Sequence, residues 1–168
     1  NQLSSADQAQ VEGRPVYDLT VKNGSEVVSE FGGGYATVRI PYALKAGENP
    51  ESVVVFVLMD DGSLEAVRGF YDAADGTVEF KTPHFSKFVI SYNPVAFLDV
   101  AADAWYREAV SFIAARGITS GVADGLFAPQ AFLTRGQFVV MLLKAYGIES
   151  EDGAEAGASS LSINFSDA

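Results

Sequence analysis

Two different periods of hydrophobic residues divide the chain near residue 93. Between residues 15 and 93 apolar and polar residues alternate at several places, which is typical of β-strands with one buried face. Between residues 97 and 149 apolar residues recur every three to four positions, which is typical of amphipathic helices. The pattern therefore predicts an α+β multidomain chain, with strands in the first module and helices in the second.

Strand-length patterns and hairpin turns fill residues 15–93. Residues 53–59 form one unbroken apolar run, which predicts a central strand buried on both faces. Asn or Asp followed by Gly occurs three times, and such pairs favour hairpin turns. We expect six or seven short strands that form an antiparallel β-sandwich. The alternating positions are Tyr17, Leu19 and Val21, then Ala36, Val38 and Ile40, then Val78 and Phe80, and the turns are Asn23-Gly24, Asp61-Gly62 and Asp75-Gly76.

Two helices with start and stop signals are predicted in the second module. The first begins after Asp103, whose side chain suits an N-cap, and ends at Gly117, where a left-handed C-cap is expected. The second begins at Thr134, and Gln137 three residues later gives the spacing of a capping box. Gly147 ends this helix. The apolar faces consist of Trp105, Ala109, Phe112 and Ile113 in the first helix and of Phe138, Met141, Leu142 and Ala145 in the second.

Five short motifs follow one another in the second module. They are Phe97-Leu98-Asp99-Val100, Trp105, Gly117-Ile118-Thr119-Ser120-Gly121, Asp124-Gly125-x-Phe127-x-Pro129 and Leu133-Thr134-Arg135-Gly136-Gln137. In this order they resemble one S-layer homology repeat, the module that fixes surface proteins to the cell wall of many bacteria. The family usually has Thr-Arg-Ala-Glu at the start of the second helix, where this chain has Gly and Gln in place of Ala and Glu. Gln can still close the capping box, but it lacks the negative charge that favours a helix N-terminus.

The strand-rich module has a resemblance of its own. Residues 40–48 and residues 84–90 are similar to the β-sandwich modules that often precede S-layer homology repeats in bacterial surface proteins. This resemblance implies no catalytic residues.

The remaining segments are interpreted as connections. Residues 1–14 are polar and small, and residues 150–164 are small and acidic, so both are predicted to be linkers. The last four residues, Phe165-Ser166-Asp167-Ala168, echo residues 97–100 and are interpreted as the start of a truncated second repeat. The predicted order is a linker over 1–14, a β-sandwich over 15–93, a helix–loop–helix repeat over 97–149, a flexible linker over 150–164 and the truncated repeat over 165–168. Because repeat units bury their faces against neighbours, further repeats in cis or in trans are expected partners.

Charge and composition exclude several classes of partner. The formal net charge is −11, which opposes general nucleic-acid binding, since phosphates would be repelled. Residues 97–149 hold 4 Lys/Arg and 5 Asp/Glu, so this module is almost neutral and can accept an acidic ligand. No apolar run reaches membrane-spanning length, so no membrane insertion is expected. There are no cysteines, and therefore no disulfides or thiolate metal sites.

No catalytic or metal-binding group of residues can be assembled from the sequence. His84 is the only histidine, and it has neither a metal-ligand partner nor a nucleophile motif beside it, so a packed or surface position is expected. The Asp residues of the first module lie at hairpin tips and lack the spacing of a calcium loop. We expect no enzyme activity, no metal and no cofactor.

Arg135 is the main candidate binding residue. A cation in the first turn of a helix opposes the helix dipole at a cost of about 0.3–1 kcal/mol, unless it serves to bind an anion together with the free amides of that turn. The alternative is a structural ion pair with a carboxylate such as Asp124. The family resemblance implies that this arginine holds the acidic, pyruvate-modified sugar of a secondary cell-wall polysaccharide.

Four further residues complete the candidate glycan site: Trp105, Asp99, Gly121 and Thr134. The helical pattern favours Trp105 as a core anchor, whereas the resemblance implies a stacking wall for a sugar ring. Asp99 can form a turn, a cap or an ion pair, or it can bind a sugar directly. Gly121 fits a turn, and the resemblance suggests that it also lets a sugar approach the backbone.

These observations predict non-enzymatic, non-covalent anchoring of a secreted protein at the bacterial cell wall or S-layer. The expected ligand is an acidic, pyruvylated secondary cell-wall polysaccharide. The alternative is a carbohydrate-binding, protein-binding or spacer module of a larger secreted glycoside hydrolase.

Overall fold

The computed structural model describes residues 11–28, 31–59 and 61–148. Within them it places nine short strands, a 3₁₀ turn at Pro50–Ser52 and two α-helices, α1 at Arg107–Ala115 and α2 at Arg135–Tyr146. The α+β order, strands before helices, is as predicted. The strands are β1 Val16–Asp18, β2 Val21–Asn23, β3 Glu26–Val28, β4 Ala36–Pro41, β5 Val53–Leu58, β6 Leu64–Val67, β7 Gly69–Asp72, β8 Thr77–Thr82 and β9 Lys87–Tyr92. The truncated second repeat proposed for 165–168 and the linker proposed for 150–164 lie outside the described residues.

The strand count exceeds the six or seven expected, in part because one alternating segment is divided between β1 and β2. The Leu19 amide still bonds to the Ser86 carbonyl, 3.1 Å away, beside the β1–β9 pairing. The chain then leaves that sheet, and Val21–Asn23 pairs with Glu26–Val28 in a separate hairpin. The alternating pattern therefore predicted the extended backbone correctly, but it could not show that the segment contributes strands to two different sheets.

All strand pairs in the described residues are antiparallel, and they form three sheets. The first has the order β1-β9-β5-β6, the second β4-β8-β7, and the third is the β2-β3 hairpin. The three Asn-Gly and Asp-Gly pairs fall between β2 and β3, β5 and β6, and β7 and β8, so the predicted hairpins are confirmed.

The first two sheets share one hydrophobic core. Phe80 of the second sheet and Phe88 of the first meet with ring centroids 4.8 Å apart. Inward-facing side chains from both sheets belong to the same cluster, as expected when two sheets pack face to face. Its buried members are Ile40, Tyr42, Val53, Val55, Val57, Val78, Phe80, Phe88 and Ile90.

Strand β5 is buried on both faces, as its unbroken apolar run predicted. Val53, Val55 and Val57 face the core between the sheets. Val54 and Phe56 point the other way and pack with Ala115 of α1. The second face of β5 is therefore covered by a helix of the following module.

Helix α1 starts later than predicted. Its first residue is Arg107, Tyr106 is the N-cap and no side chain caps it, so the prediction that Asp103 begins the helix was wrong. The chain first makes two tight turns, with the Ala104 amide bonded to Ala101 and the Arg107 amide bonded to Ala104. The predicted end is confirmed, because Gly117 has a left-handed φ of 67°.

Helix α2 has both predicted ends. The Thr134 side chain accepts a hydrogen bond from the Gln137 amide, and the Gln137 side chain accepts one from the Thr134 amide, which completes the capping box. Gly147 closes the helix with a φ of 61°. The apolar face is exposed, however: Phe138 retains 55% and Leu142 43% of its accessible surface, and no residue of the helix is buried.

Candidate functional site: the inter-helix loop and the start of the second helix

Asp99 organises the loop between the helices. Its two carboxylate oxygens accept hydrogen bonds from the backbone N–H groups of Phe127, at 2.9 Å, and Ala128, at 2.6 Å. These bonds, that from Phe127 foremost, lower the pKa of the Asp99 carboxyl. They also support Ala128, which has a φ of 59° that L-residues rarely adopt. Both oxygens therefore have structural partners, and direct sugar contact by Asp99 stays a prediction.

Gly121 lies where the chain leaves no room for a side chain. Its φ is 85°, and a Cβ atom would lie 2.3 Å from the Leu126 carbonyl oxygen and 2.8 Å from a ring carbon of Phe97. Phe97 in turn packs against Phe127, with ring centroids 5.4 Å apart. Asp99 and Gly121 thus belong to one packed loop. The suggested sugar approach at Gly121 stays a prediction.

Arg135 is exposed at the first position of α2. Among the described residues no carboxylate lies within ion-pair distance of its guanidinium, so the alternative pairing with Asp124 does not form. The capping box occupies the Gln137 amide, whereas the amides of Arg135 and Gly136 have no acceptor within the helix. The charge and the unpaired amides are therefore available together at the helix N-terminus.

Trp105 is not a core residue. It keeps 92% of its accessible surface and meets Tyr106 edge to face, with centroids 5.5 Å apart. The core-anchor interpretation was wrong because α1 begins two residues after Trp105, which is therefore outside the apolar face of the helix. The positions that α1 buries are Val110, Ser111, Ala114 and Ala115.

Thr134 has a defined structural role. Its hydroxyl oxygen accepts from the Gln137 amide at 3.2 Å and lies 3.0 Å from the Gln137 side-chain oxygen, to which it donates. Within the part of the chain that the structure describes, no hydrogen bond or ring contact joins Arg135 to Trp105 or to the Asp99 loop. The glycan-binding roles of all five residues, and a common site for them, therefore stay predictions.

Arg116 at the end of α1 is a residue that sequence reasoning missed. Its guanidinium donates to the carbonyl oxygens of Glu51 at 2.8 Å, Val53 at 3.0 Å and Gly69 at 2.9 Å. It also lies 3.5 Å from the ring centroid of Phe112. Burial lowers the pKa of Arg116 to about 10, although the nearby charge of Glu51 acts to raise it. A cation near a helix C-terminus is common, so nothing in the local sequence indicates that this one is buried against strands.

A second arginine, in the first module, contacts the second module. Arg68, between β6 and β7, donates to the Tyr146 carbonyl in the last turn of α2, and its guanidinium lies 5.5 Å from the Tyr146 ring centroid. Cations are favourable at this end of a helix. Neither contact follows from local sequence, since the partners are 78 residues apart.

In the residues that the structure describes, no group of three or more His, Asp or Glu side chains is arranged to hold a metal ion. Neither helix in the same residues has the length and apolar character needed to cross a membrane.

Comparison with known proteins identifies the second module. Residues 96–139 match the model of the S-layer homology domain. A surface-layer 125 kDa protein of Lysinibacillus sphaericus is 42% identical over 57 residues, which is 34% of this chain and 5% of that protein. An amylopullulanase of Thermoanaerobacterium thermosulfurigenes is 28% identical over 115 residues, which is 68% of this chain and 6% of that protein. The chain thus spans a small fraction of both relatives.

The amylopullulanase match is longer than the stretch from residue 96 to the last residue, so it includes part of the strand-rich module. No solved structure matches the chain significantly. The motifs quoted above, which lie before α1, between the helices and at the start of α2, agree with the family match. This chain carries an S-layer homology domain, a non-catalytic module of the bacterial cell surface, at residues 96–139.

Proposed function

We propose that this chain anchors a secreted protein to the bacterial cell wall by binding an acidic, pyruvylated secondary cell-wall polysaccharide. The S-layer homology domain supports cell-surface anchoring in general. The finer assignment gives Arg135 the anionic pyruvyl group and Trp105 the face of a sugar ring. Asp99 and Gly121 shape the inter-helix loop, and Thr134 caps the start of α2.

The observation that carries this proposal is the uncompensated charge of Arg135. Its guanidinium is exposed and has no carboxylate partner among the described residues. It also opposes the dipole of α2, at a cost of about 0.3–1 kcal/mol for an exposed group. A bound carboxylate would remove that cost and accept hydrogen bonds from the guanidinium and the first-turn amides.

Trp105 supports the same proposal through its exposure. An indole with 92% of its surface accessible contributes little to the core of this module. A flat aromatic face in water is suited to stacking on the apolar face of a sugar ring. The neighbouring Tyr106 ring, edge-on to Trp105, restricts the orientations of the indole.

A single repeat is expected to bind weakly. Helix α2 exposes Phe138, Leu142 and Tyr146 on one face, and in the described residues only the Tyr146 ring has a partner, the Arg68 guanidinium. Further repeats, in cis or in trans, are the partners that would cover this face and complete a glycan groove. Tight retention of the monomeric chain by purified cell walls would contradict this expectation.

The experiment that tests the proposal is an NMR titration with a soluble pyruvylated fragment of wall polysaccharide, since NMR detects weak binding. We expect shifts of the Arg135 and Gly136 amides and of the Trp105 indole N–H. The same fragment without its pyruvyl groups should give much smaller shifts. Arg107 is a matched control, because it is also an exposed first residue of a helix, but it donates to the Ala102 carbonyl at 3.2 Å. Equal shifts in Arg135→Ala and Arg107→Ala would refute the role of Arg135.

One observation favours a second candidate function. The likeness to an amylopullulanase extends into the strand-rich module, so this module can be a carbohydrate-binding or spacer part of a larger secreted glycoside hydrolase. Affinity electrophoresis of the chain in gels that contain amylopectin or pullulan tests this alternative. Retardation that persists in Arg135→Ala would support it, and unchanged mobility in both polysaccharides would exclude these ligands.

A further inference from the structure

The two modules meet across the outer face of the first sheet. This outer face is defined by Val54, Phe56, Val89 and Ser91, which are paired across β5 and β9 and point away from the sandwich core. Ala115 of α1 is 2% exposed and belongs to one cluster with Val54 and Phe56. The Asn93 side chain also donates to the Ala115 carbonyl at 2.7 Å. The last turn of α1 is therefore built into the strand-rich module.

Arg116 adds hydrogen bonds between the two modules, from its guanidinium to backbone carbonyls of the first module. Its three carbonyl partners in the first module come from the 3₁₀ turn, from β5 and from β7. No carboxylate among the described residues forms an ion pair with it, so backbone carbonyls and the Phe112 ring replace its hydration. A buried guanidinium is stable without its hydration water only when its N–H groups have other acceptors. The position of Arg116 relative to the strands is therefore closely defined.

Arg68, the residue next to Gly69, contacts helix α2. Gly69 accepts from both Nε and Nη2 of Arg116, and the adjacent Arg68 donates to Tyr146 at the end of α2. A Cβ at position 69 would lie 2.7 Å from the Glu79 carbonyl oxygen, so glycine allows the close approach of β7 and β8 here. One short segment of the first module therefore contacts both helices of the domain.

Burial differs sharply between the two helices. Four residues of α1 are buried, and none of α2. In repeat arrays each unit covers its neighbour, and a terminal unit needs a different element to cover its outer side. Here the outer face covers the last turn of α1 through Ala115, while Val110 and Ala114 pack with Phe97 within the domain. The amylopullulanase match, which includes part of both modules, is consistent with a pairing that recurs outside this chain.

We propose that the strand-rich module is the cap on which this S-layer homology domain folds, and that Arg116 is the positioning residue that fixes the domain to it. The two modules then open and close as one unit, so the strand-rich module is more than a spacer. This proposal concerns folding and does not depend on the proposed glycan binding.

The test is hydrogen–deuterium exchange of the full chain, followed separately in residues 53–58 and 107–115. In Arg116→Ala we expect protection of α1 to fall by about a hundredfold or more, because several charge-assisted hydrogen bonds are lost, while β5 keeps most of its protection. Arg107→Ala, on the same helix but exposed, should change α1 protection by less than about threefold. Arg116→Lys should recover only part of the loss, since an ammonium cannot reach three acceptors in the same geometry.

Two outcomes would overturn the cap. One is unchanged α1 protection in Arg116→Ala, and the other is an equal loss in Arg107→Ala. If Arg116→Ala does not fold, Asn93→Ala removes only the bond to Ala115, and α1 protection should then fall by about tenfold with β5 unaffected. No change in that variant overturns the proposal as well. Failure of the proposed function looks different, because Arg135→Ala would keep both glycan-induced shifts and α1 protection.

Discussion

Replacing Gly121 with alanine tests whether the inter-helix loop is as tightly built as the structure shows. The residue has a φ of 85°, and a left-handed backbone costs an L-residue about 1–2 kcal/mol. The new Cβ would also lie 2.3 Å from the Leu126 carbonyl oxygen. That oxygen is fixed by a 2.8 Å hydrogen bond from the Val122 amide, so it cannot yield freely. Overpacking of this kind adds about 1–3 kcal/mol. We therefore expect the free energy of unfolding to fall by about 2–5 kcal/mol.

Gly117 supplies the matched control. It has a similar left-handed φ of 67°, but a Cβ there meets nothing within 4 Å. Gly117→Ala should thus show the backbone cost alone, about 1–2 kcal/mol. Urea unfolding followed by far-ultraviolet circular dichroism measures both losses, and exchange of the Val122 amide localises the change. Equal losses in the two variants would refute the steric argument, because only Gly121 has a carbonyl in the way.

Three further predictions concern other parts of the chain. Gly136→Ala in the first turn of α2 should raise the free energy of unfolding by up to about 1 kcal/mol in urea denaturation, because a Cβ there meets open space and alanine favours helix; a loss would contradict it. Burial raises the pKa of Glu48, but hydrogen bonds from the Lys45 amide, the Tyr42 hydroxyl and Arg14 outweigh it, so the pKa is lowered overall. The folded state then binds fewer protons than the unfolded state, so the free energy of unfolding falls as the pH drops below the ordinary range of a glutamate. Glu48→Gln should lose that pH dependence in unfolding curves measured between about pH 3 and 7. Phe138→Ser should change the free energy of unfolding by less than about 0.5 kcal/mol, because this side chain is exposed, and a loss above 2 kcal/mol would show that α2 is covered in solution.

The parts of the fold that sequence predicted well are those fixed by local interactions. The capping box of Thr134 and Gln137 and the left-handed Gly147 depend on residues within one turn of each helix end. The hairpin turns are local in the same sense. Where two local solutions compete, prediction failed: Asp103 suits an N-cap, but tight turns at residues 101–107 delay the helix and leave Trp105 in solvent.

The parts that sequence did not reveal depend on contacts between distant residues. Arg116 finds its acceptors in the first module 47 to 65 residues away, and Arg68 contacts Tyr146 at a separation of 78. Both arginines have ordinary local settings, so neither spacing nor composition distinguishes them. The unbroken apolar run of β5 did predict a second covered face, but it could not identify α1 as the cover.

The candidate site was predictable only in part, for a related reason. The exposed position of Arg135 follows from the capping box one residue before it. The Asp99 carboxylate accepts hydrogen bonds from the amides of Phe127 and Ala128, which are 28 and 29 residues away, and residue spacing could not predict these bonds.

The most direct measurement is a thermodynamic cycle between Arg135 and the pyruvyl group. Binding of wall glycan fragments with and without pyruvate is measured by NMR titration for the wild-type chain and for Arg135→Ala. If the guanidinium holds the pyruvyl carboxylate, each change alone should weaken binding by about tenfold or more, and the double change should cost little beyond either one. Additive losses would show that the arginine and the pyruvate act independently, which would contradict the proposed anchoring mechanism.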